Sequence, residues 1–145
     1  MGKKIAMVGA GSVVFCKMLM NDMMATPALE GSEYALMSRT WPKLEKMEAF
    51  GREMLQRNGI SGKVWATLDR REALKDADFV VVMIQVGGVD AFGVDYQVPL
   101  KYGVDQCVGD TMGPGGVFRG LRTIPVLVDI ARDMEELSAP GALML

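Results

Sequence analysis

Histidine is absent from this chain of 145 residues. That excludes any catalytic scheme resting on an imidazole within it. It also removes the commonest nitrogen ligand for a transition metal, so a zinc or manganese centre built by this chain alone is not expected. Cysteine is nearly as scarce, with only Cys16 and Cys107, and two thiols make no disulfide framework. Both read as packing residues, although Cys16 falls near the positive end of an expected helix, which could lower its thiol pKa. Half of the residues are hydrophobic, yet no run approaches the roughly 20 apolar residues of a membrane-spanning helix. An excess of one charge is missing too: 16 basic residues face 18 acidic ones. No basic patch invites nucleic acid, and no acidic tail argues for disorder. Met1-Gly2-Lys3-Lys4 leads into too short an apolar run before glycine intervenes for a signal peptide. A cytoplasmic protein without nucleic-acid or membrane partners is expected. The length suits one domain with a real core, spanning 1–145, and not two.

What is present is organised around Ile5-Ala6-Met7-Val8-Gly9-Ala10-Gly11-Ser12-Val13-Val14-Phe15. An apolar run ends in Gly-x-Gly, and helix-like sequence follows at once. The first glycine allows a sharp turn at a strand end, and the second lets the main chain approach a pyrophosphate. The helix that follows aims free amides and its positive end at the anion. Gly9, Gly11, Ser12 and Val13 are therefore candidate cofactor-binding residues. Val14 stands where a third glycine would favour close helix–strand packing. The competing reading is a plain tight turn.

Strands and helices then alternate. A helix over 12–25, capped by Ser12, carries Met18, Leu19, Met20, Met23 and Met24 around most of its circumference. It reads as buried on more than one side, with methionine as adaptable filler, or alternatively as a subunit interface or a site of specific methionine function. A strand is expected over 33–37, a helix from Pro42 to about Arg57 closed by Asn58-Gly59, and a strand over 63–67. Asp69 caps a short charged helix to Lys75. Phe79 to Ile84 reads as a central parallel strand covered on both faces. Residues 86–116 are rich in glycine, with Pro99 and Pro114, and read as a long functional connection. Helical spacing returns from Val117 to Leu137, with Pro125 starting a fresh helix or kinking this one. Ala142 to Leu145 begins another strand. The fold class is α/β, a Rossmann-like doubly wound parallel sheet in a single three-layer domain, with ligand at the strand carboxyl ends.

The second strand of such folds ordinarily ends in an acid that binds ribose hydroxyls. Here Ser38-Arg39-Thr40 stands there, and no acid follows until Glu45. Two hydroxyls and a planar cation suit a 2′-phosphate, which favours NADP over NAD. The alternative is an exposed loop whose arginine stacks on adenine without choosing. Asp110, in the turn Gly109-Asp110-Thr111-Met112-Gly113-Pro114-Gly115-Gly116, can meet a polyol hydroxyl with Arg119 nearby, or simply cap its turn. Asp69-Arg70-Arg71-Glu72 reads as a solvated helix start. Asp129, Arg132, Asp133, Glu135 and Glu136 read as the wet face of the last helix.

Together these motifs resemble glycoside hydrolase family 4. The resemblance is carried by Gly9-Ala10-Gly11-Ser12, the segment from Asp69 to Asp78, Ile84-Gln85-Val86-Gly87-Gly88, Lys101-Tyr102-Gly103, Gly109 to Gly116 and Arg119-Gly120-Leu121-Arg122-Thr123-Ile124-Pro125. The α-galactosidase branch is nearer than the 6-phospho-glycosidases. The resemblance implies a nicotinamide dinucleotide, NAD or NADP, that oxidises a sugar C3 hydroxyl. A divalent metal, usually manganese, then helps acidify the C2 proton before elimination, hydration and return of the hydride. It places the nicotinamide near Gln85, Gly87 and Gly88, and Asp110 near the sugar as a catalytic helper. Ser38 departs from the family's Met-Asp-Ile-Asp-like run. The family's metal-binding Cys and His, an Asn-rich segment and a catalytic Tyr all follow the strand that ends at Leu145.

The chain thus reads as the dinucleotide-binding domain of a family 4-like glycosidase, with the downstream catalytic domain absent. It should bind cofactor and show little or no activity alone, with glycoside substrate and Mn2+ belonging to the full-length enzyme. Other classes stay open: a small NADP-dependent oxidoreductase domain, a non-catalytic dinucleotide-binding module, or a self-associating homo-oligomer.

Overall fold

The structure, a computed structural model, describes residues 2–106 and 111–145. The chain divides into two compact units, Met1–Ile84 with Asp133–Leu145, and Gln85–Arg132. In the first, β1 (Lys4–Val8), β2 (Glu33–Met37), β3 (Lys63–Thr67), β4 (Phe79–Val82) and β5 (Leu143–Met144) form one sheet in the order β3-β2-β1-β4-β5. Every pairing is parallel. This is the Rossmann-like order, with β1 at the centre and the sheet growing outward in both directions.

β1 is central because its sequence is apolar on both faces: Ile5, Ala6, Met7 and Val8 are all buried. Ile5 and Met7 share one face with Tyr34 and Leu36 of β2 and Val64 of β3. That face is covered by α1 (Val13–Met24) and α2 (Trp41–Asn58), through Cys16, Met20, Met24, Leu44, Met47 and Leu55. Each large side chain so buried contributes about 1.5–3 kcal/mol. Pro42 lies in the first turn of α2, and Gly59, with φ 64°, closes it. The expected boundaries of β2 and β3 match the structure.

α1 corrects one expectation. Only Cys16, Met20 and Met24, an i, i+4 row, are fully buried on it. Val13, Val14, Phe15 and Met18 are exposed. The helix therefore packs on one face, and its methionines are not buried all round. β4 is shorter than the apolar run suggested, and only Val80 in it is fully buried.

α3 (Arg70–Leu74) starts as expected, with Asp69 accepting from the Arg71 amide. Its charged start is exposed at Asp69, Arg71 and Glu72, as expected, but it is also paired. Arg70 and Arg71 both pair with Asp133, Arg71 also pairs with Glu136, and the Thr67 hydroxyl donates to Glu72. Asp133 is accordingly far more buried than a wet-face residue should be. Opposite charges far apart in sequence met here, and helical spacing alone could not show it.

The second unit contains α4 (Gly88–Leu100) and most of α5 (Gly113–Leu137). α4 replaces much of the expected 86–116 connection. Its glycines and Pro99 read as punctuation, but Pro99 sits in the last turn, and a buried Asp95 ties the helix down. Tertiary anchoring overrides weak local propensity. α5 runs through Pro125 as one element, beginning at Gly113 rather than Val117. Among the described residues no helix is long and apolar enough to cross a membrane.

Candidate functional site

The turn after β1 is fixed by its neighbours. The amides of Gly9 and Ala10 both donate to the Met37 carbonyl at 2.9 Å, which ties the turn to the end of β2. Gly9 has φ 94°, and a Cβ there would stand 2.2 Å from the Met83 carbonyl oxygen. Only glycine fits, for conformation and for space. At Gly11 a Cβ would meet Ser38 Oγ at 2.9 Å and little else. The Ser38 hydroxyl therefore faces the turn.

Ser12 occupies the N-cap position of α1, as expected, but its side chain makes no cap hydrogen bond, and no acid lies in the first turn. Ser12 N donates to the Gly9 carbonyl, and Cys16 N to the Ser12 carbonyl. No protein acceptor takes the amides of Gly11, Val13, Val14 and Phe15 among the described residues. Four donors at an uncapped helix N-terminus, beside a glycine that carries no Cβ, suit an anionic group such as a diphosphate. The residues present fit the phosphates of a dinucleotide.

Ser38, Arg39 and Thr40 follow β2 directly. Ser38 is half-buried, while Arg39 and Thr40 are exposed. Thr40 is the N-cap of α2 but makes no side-chain cap hydrogen bond, and no acid lies in that first turn either. Lys43, whose Cβ would lie 3.7 Å from a Cβ at Gly11, adds a second cation. Beside the Gly9 turn, the end of β2 thus carries two cations, Arg39 and Lys43, and the hydroxyls of Ser38 and Thr40. The Lys43 contribution carries no local sequence motif, and only the packing reveals it.

In the second unit, Gly87 and Gly88 have φ of 82° and 64° and start α4. Gln85 closes this turn: Gly88 N donates to the Gln85 carbonyl at 3.2 Å, and Gln85 Nε2 to the Gly88 carbonyl at 3.4 Å. Behind it lies an ion pair the sequence did not advertise. Arg122 Nη1 and Nη2 reach the two Asp95 oxygens at 2.8 and 2.5 Å. The bidentate guanidinium holds the Asp95 carboxyl below its usual range, against the opposing effect of burial. Asp110 lies outside the described residues.

Cys16 is a packing residue, as expected, and the helix end does not lower its thiol pKa. Burial pushes its thiol pKa up to about 12, and its Sγ lies 3.7 Å from Met20 Sδ. Desolvation outweighs the helix end, so this thiol is a core group. Among the described residues no group of three or more His, Cys, Asp or Glu could hold a metal ion.

Comparison with known proteins agrees with this geometry. The sequence profile of the Family 4 glycosyl hydrolases matches residues 4–145. An α-galactosidase of Rhizobium meliloti is 42% identical over 142 residues, which are 98% of this chain and 29% of that protein. One of Bacillus subtilis is 43% identical over 136 residues, 93% of this chain and 32% of that protein. A solved 6-phospho-α-glucosidase from gut microorganisms, in complex with NAD and glucose-6-phosphate, is 27% identical with a TM-score of 0.81. It covers 99% of this chain, and the match spans 32% of that structure. The chain thus spans about a third or less of the length of these relatives. A Gly-x-Gly turn built as above, on a sheet of this order and with a match over nearly every residue, places the chain in family 4 of the glycosyl hydrolases.

Proposed function

We propose that this chain is the nicotinamide-dinucleotide-binding part of a family 4 glycosidase. The observation that carries the reading is the turn at Gly9 and Gly11, with its open amides at the start of α1. In this reading Gly9, Gly11, Ser12 and Val13 hold the pyrophosphate. Ser38, Arg39 and Thr40 receive the adenosine ribose. Gln85, Gly87 and Gly88 border the nicotinamide, and Asp110 serves the sugar. When bound, the nicotinamide supplies reversible hydride acceptance from the sugar. The NAD complex of the 27% identical 6-phospho-α-glucosidase supports the cofactor class.

The donor set among the described residues does not fit a divalent metal, so no metal-dependent step is assigned to it. Turnover belongs to the whole enzyme in this reading. A chromogenic α-galactoside, incubated with this chain, cofactor and manganese, should release no leaving group. Release would refute that part.

Isothermal titration with NAD and NADP tests the binding. Saturable heat from at least one of them is expected, and none from either would overturn the reading. The exposed Arg39, with no carboxylate engaging it among the described residues, favours NADP as the tighter ligand. Equal or tighter binding of NAD would refute that preference.

A further inference from the structure

We propose that Arg122 and Asp95 act as a positioning clamp, holding the Val86–Gly88 turn in the shape that receives the nicotinamide half of the cofactor. The inference rests on the dinucleotide reading above. It begins with a buried acid. Asp95 is only 4% exposed, and an isolated carboxylate so placed would be strongly destabilising. Arg122 neutralises it through two parallel hydrogen bonds.

The same guanidinium does a third thing. Its Nε donates to the Val86 carbonyl at 3.0 Å. That carbonyl immediately precedes Gly87 and Gly88, both in the left-handed region. A Cβ at Gly87 would stand 3.4 Å from Arg122 Nε and 2.5 Å from the Ala91 Cβ. The turn is therefore packed directly on the guanidinium edge. Arg122 also donates to the Phe118 carbonyl on its own helix. One planar group thus links α4, α5 and the turn, and Asp95 fixes the plane.

Ligands of open parallel sheets lie beyond the carboxyl ends of the strands, and Gln85 to Gly88 follow β4. The residues that set the shape of that turn then set how well it meets the nicotinamide. A lysine cannot replace Arg122. Its single ammonium does not reproduce a fork to Asp95 with a separate donor to Val86.

The test compares NAD with ADP-ribose, which keeps the phosphates but lacks the nicotinamide. In calorimetric titrations of Arg122→Lys, NAD affinity should fall about tenfold or more, each tenfold being about 1.4 kcal/mol. ADP-ribose affinity should stay within about twofold. Asp95→Asn keeps the side-chain shape and should show the same pattern more weakly, so it serves if Arg122→Lys does not fold. Equal losses for both ligands, or no loss for either, would overturn the clamp. Wild-type affinities equal for NAD and ADP-ribose would overturn it too. If the wild-type chain binds neither ligand, the dinucleotide reading itself fails.

Discussion

Replacing Gly11 by alanine separates folding from binding at the turn. Gly11 is not in the left-handed region, and its new methyl group would meet chiefly Ser38 Oγ, at 2.9 Å. A serine hydroxyl can turn away, at a cost of about 0.5–1.5 kcal/mol if it leaves its preferred rotamer. The lost freedom of the unfolded chain returns about 0.4–1 kcal/mol. The net stability change should therefore stay within about 1 kcal/mol. Gly9→Ala is the opposite case. Its φ of 94° strains any side chain, and the methyl would overlap the Met83 carbonyl oxygen at 2.2 Å. The strain alone costs about 1–3 kcal/mol, and the overlap yields only if the backbone moves. Urea unfolding should therefore show a small shift for Gly11→Ala and a loss of at least about 3 kcal/mol for Gly9→Ala. In titration, Gly11→Ala should bind dinucleotide at least about tenfold more weakly, because the methyl fills the approach of the phosphates. The double variant Gly11→Ala/Ser38→Ala places the nearest carbon at an ordinary 3.7 Å. It should recover stability without recovering affinity. Unchanged affinity in a well-folded Gly11→Ala would refute the phosphate assignment.

Further expectations follow from single groups. Tyr34 is buried at 1% exposure, and its hydroxyl has no hydrogen-bond partner among the described residues. Tyr34→Phe should be neutral or stabilising by up to about 1–2 kcal/mol in thermal unfolding, and a clear destabilisation would reveal a partner for the hydroxyl. Cys16, with its thiol pKa at about 12, should resist iodoacetamide at pH 8 and react only on unfolding. Peptide mapping that found Cys16 alkylated in the native protein would contradict its burial. The Asp95 and Asp78 carboxyls are both held below their usual range by their basic partners. Their stabilising effect is complete above the unfolded value of about 4 and is lost as pH falls through the lower folded values. The urea midpoint should drop below about pH 4, and less steeply in Asp95→Asn. An identical slope in that variant would exclude Asp95 from the acid transition. Ser38→Asp should shift preference toward NAD by placing a carboxylate against the ribose and repelling a 2′-phosphate. Paired titrations showing no change would remove Ser38 from cofactor choice.

Where apolar residues were continuous or bounded by strong punctuation, sequence and structure agree. β1, β2 and β3 were legible because the central strand is apolar on both faces and its neighbours end in clear turns. α2 was legible through its helical period, Pro42 and Gly59. α4 was not, because Gly88, Gly93 and Pro99 each argue locally against a helix. What holds it includes an ion pair to a residue 27 positions away. The same distance concealed the role of Asp95 and Arg122, although Arg122 stood in a recognised motif. The pairing of Arg70 and Arg71 with Asp133 was hidden for the same reason. At the site, Gly9, Gly11 and Ser38 were read from position and are brought together by the structure. The unused amides at the start of α1 and the nearness of Lys43 emerge only from the folded chain.

The central position of β1 also favours an order of assembly. Its pairing with β2 joins Lys4 to Glu33, whereas its pairing with β4 joins Ile5 to Phe79. Closing the longer loop costs about 0.8 kcal/mol more in chain entropy, by the logarithmic dependence on length. The β1–α1–β2–α2–β3 half can therefore collapse early, with β4 docking after it. The Met83 carbonyl that hems in Gly9 comes from the residue just after β4. In that order the wall of the proposed phosphate turn would be among the late contacts to form. A chain stalled before β4 docks would hold much of its hydrophobic core and still lack the wall that closes the proposed cofactor cradle.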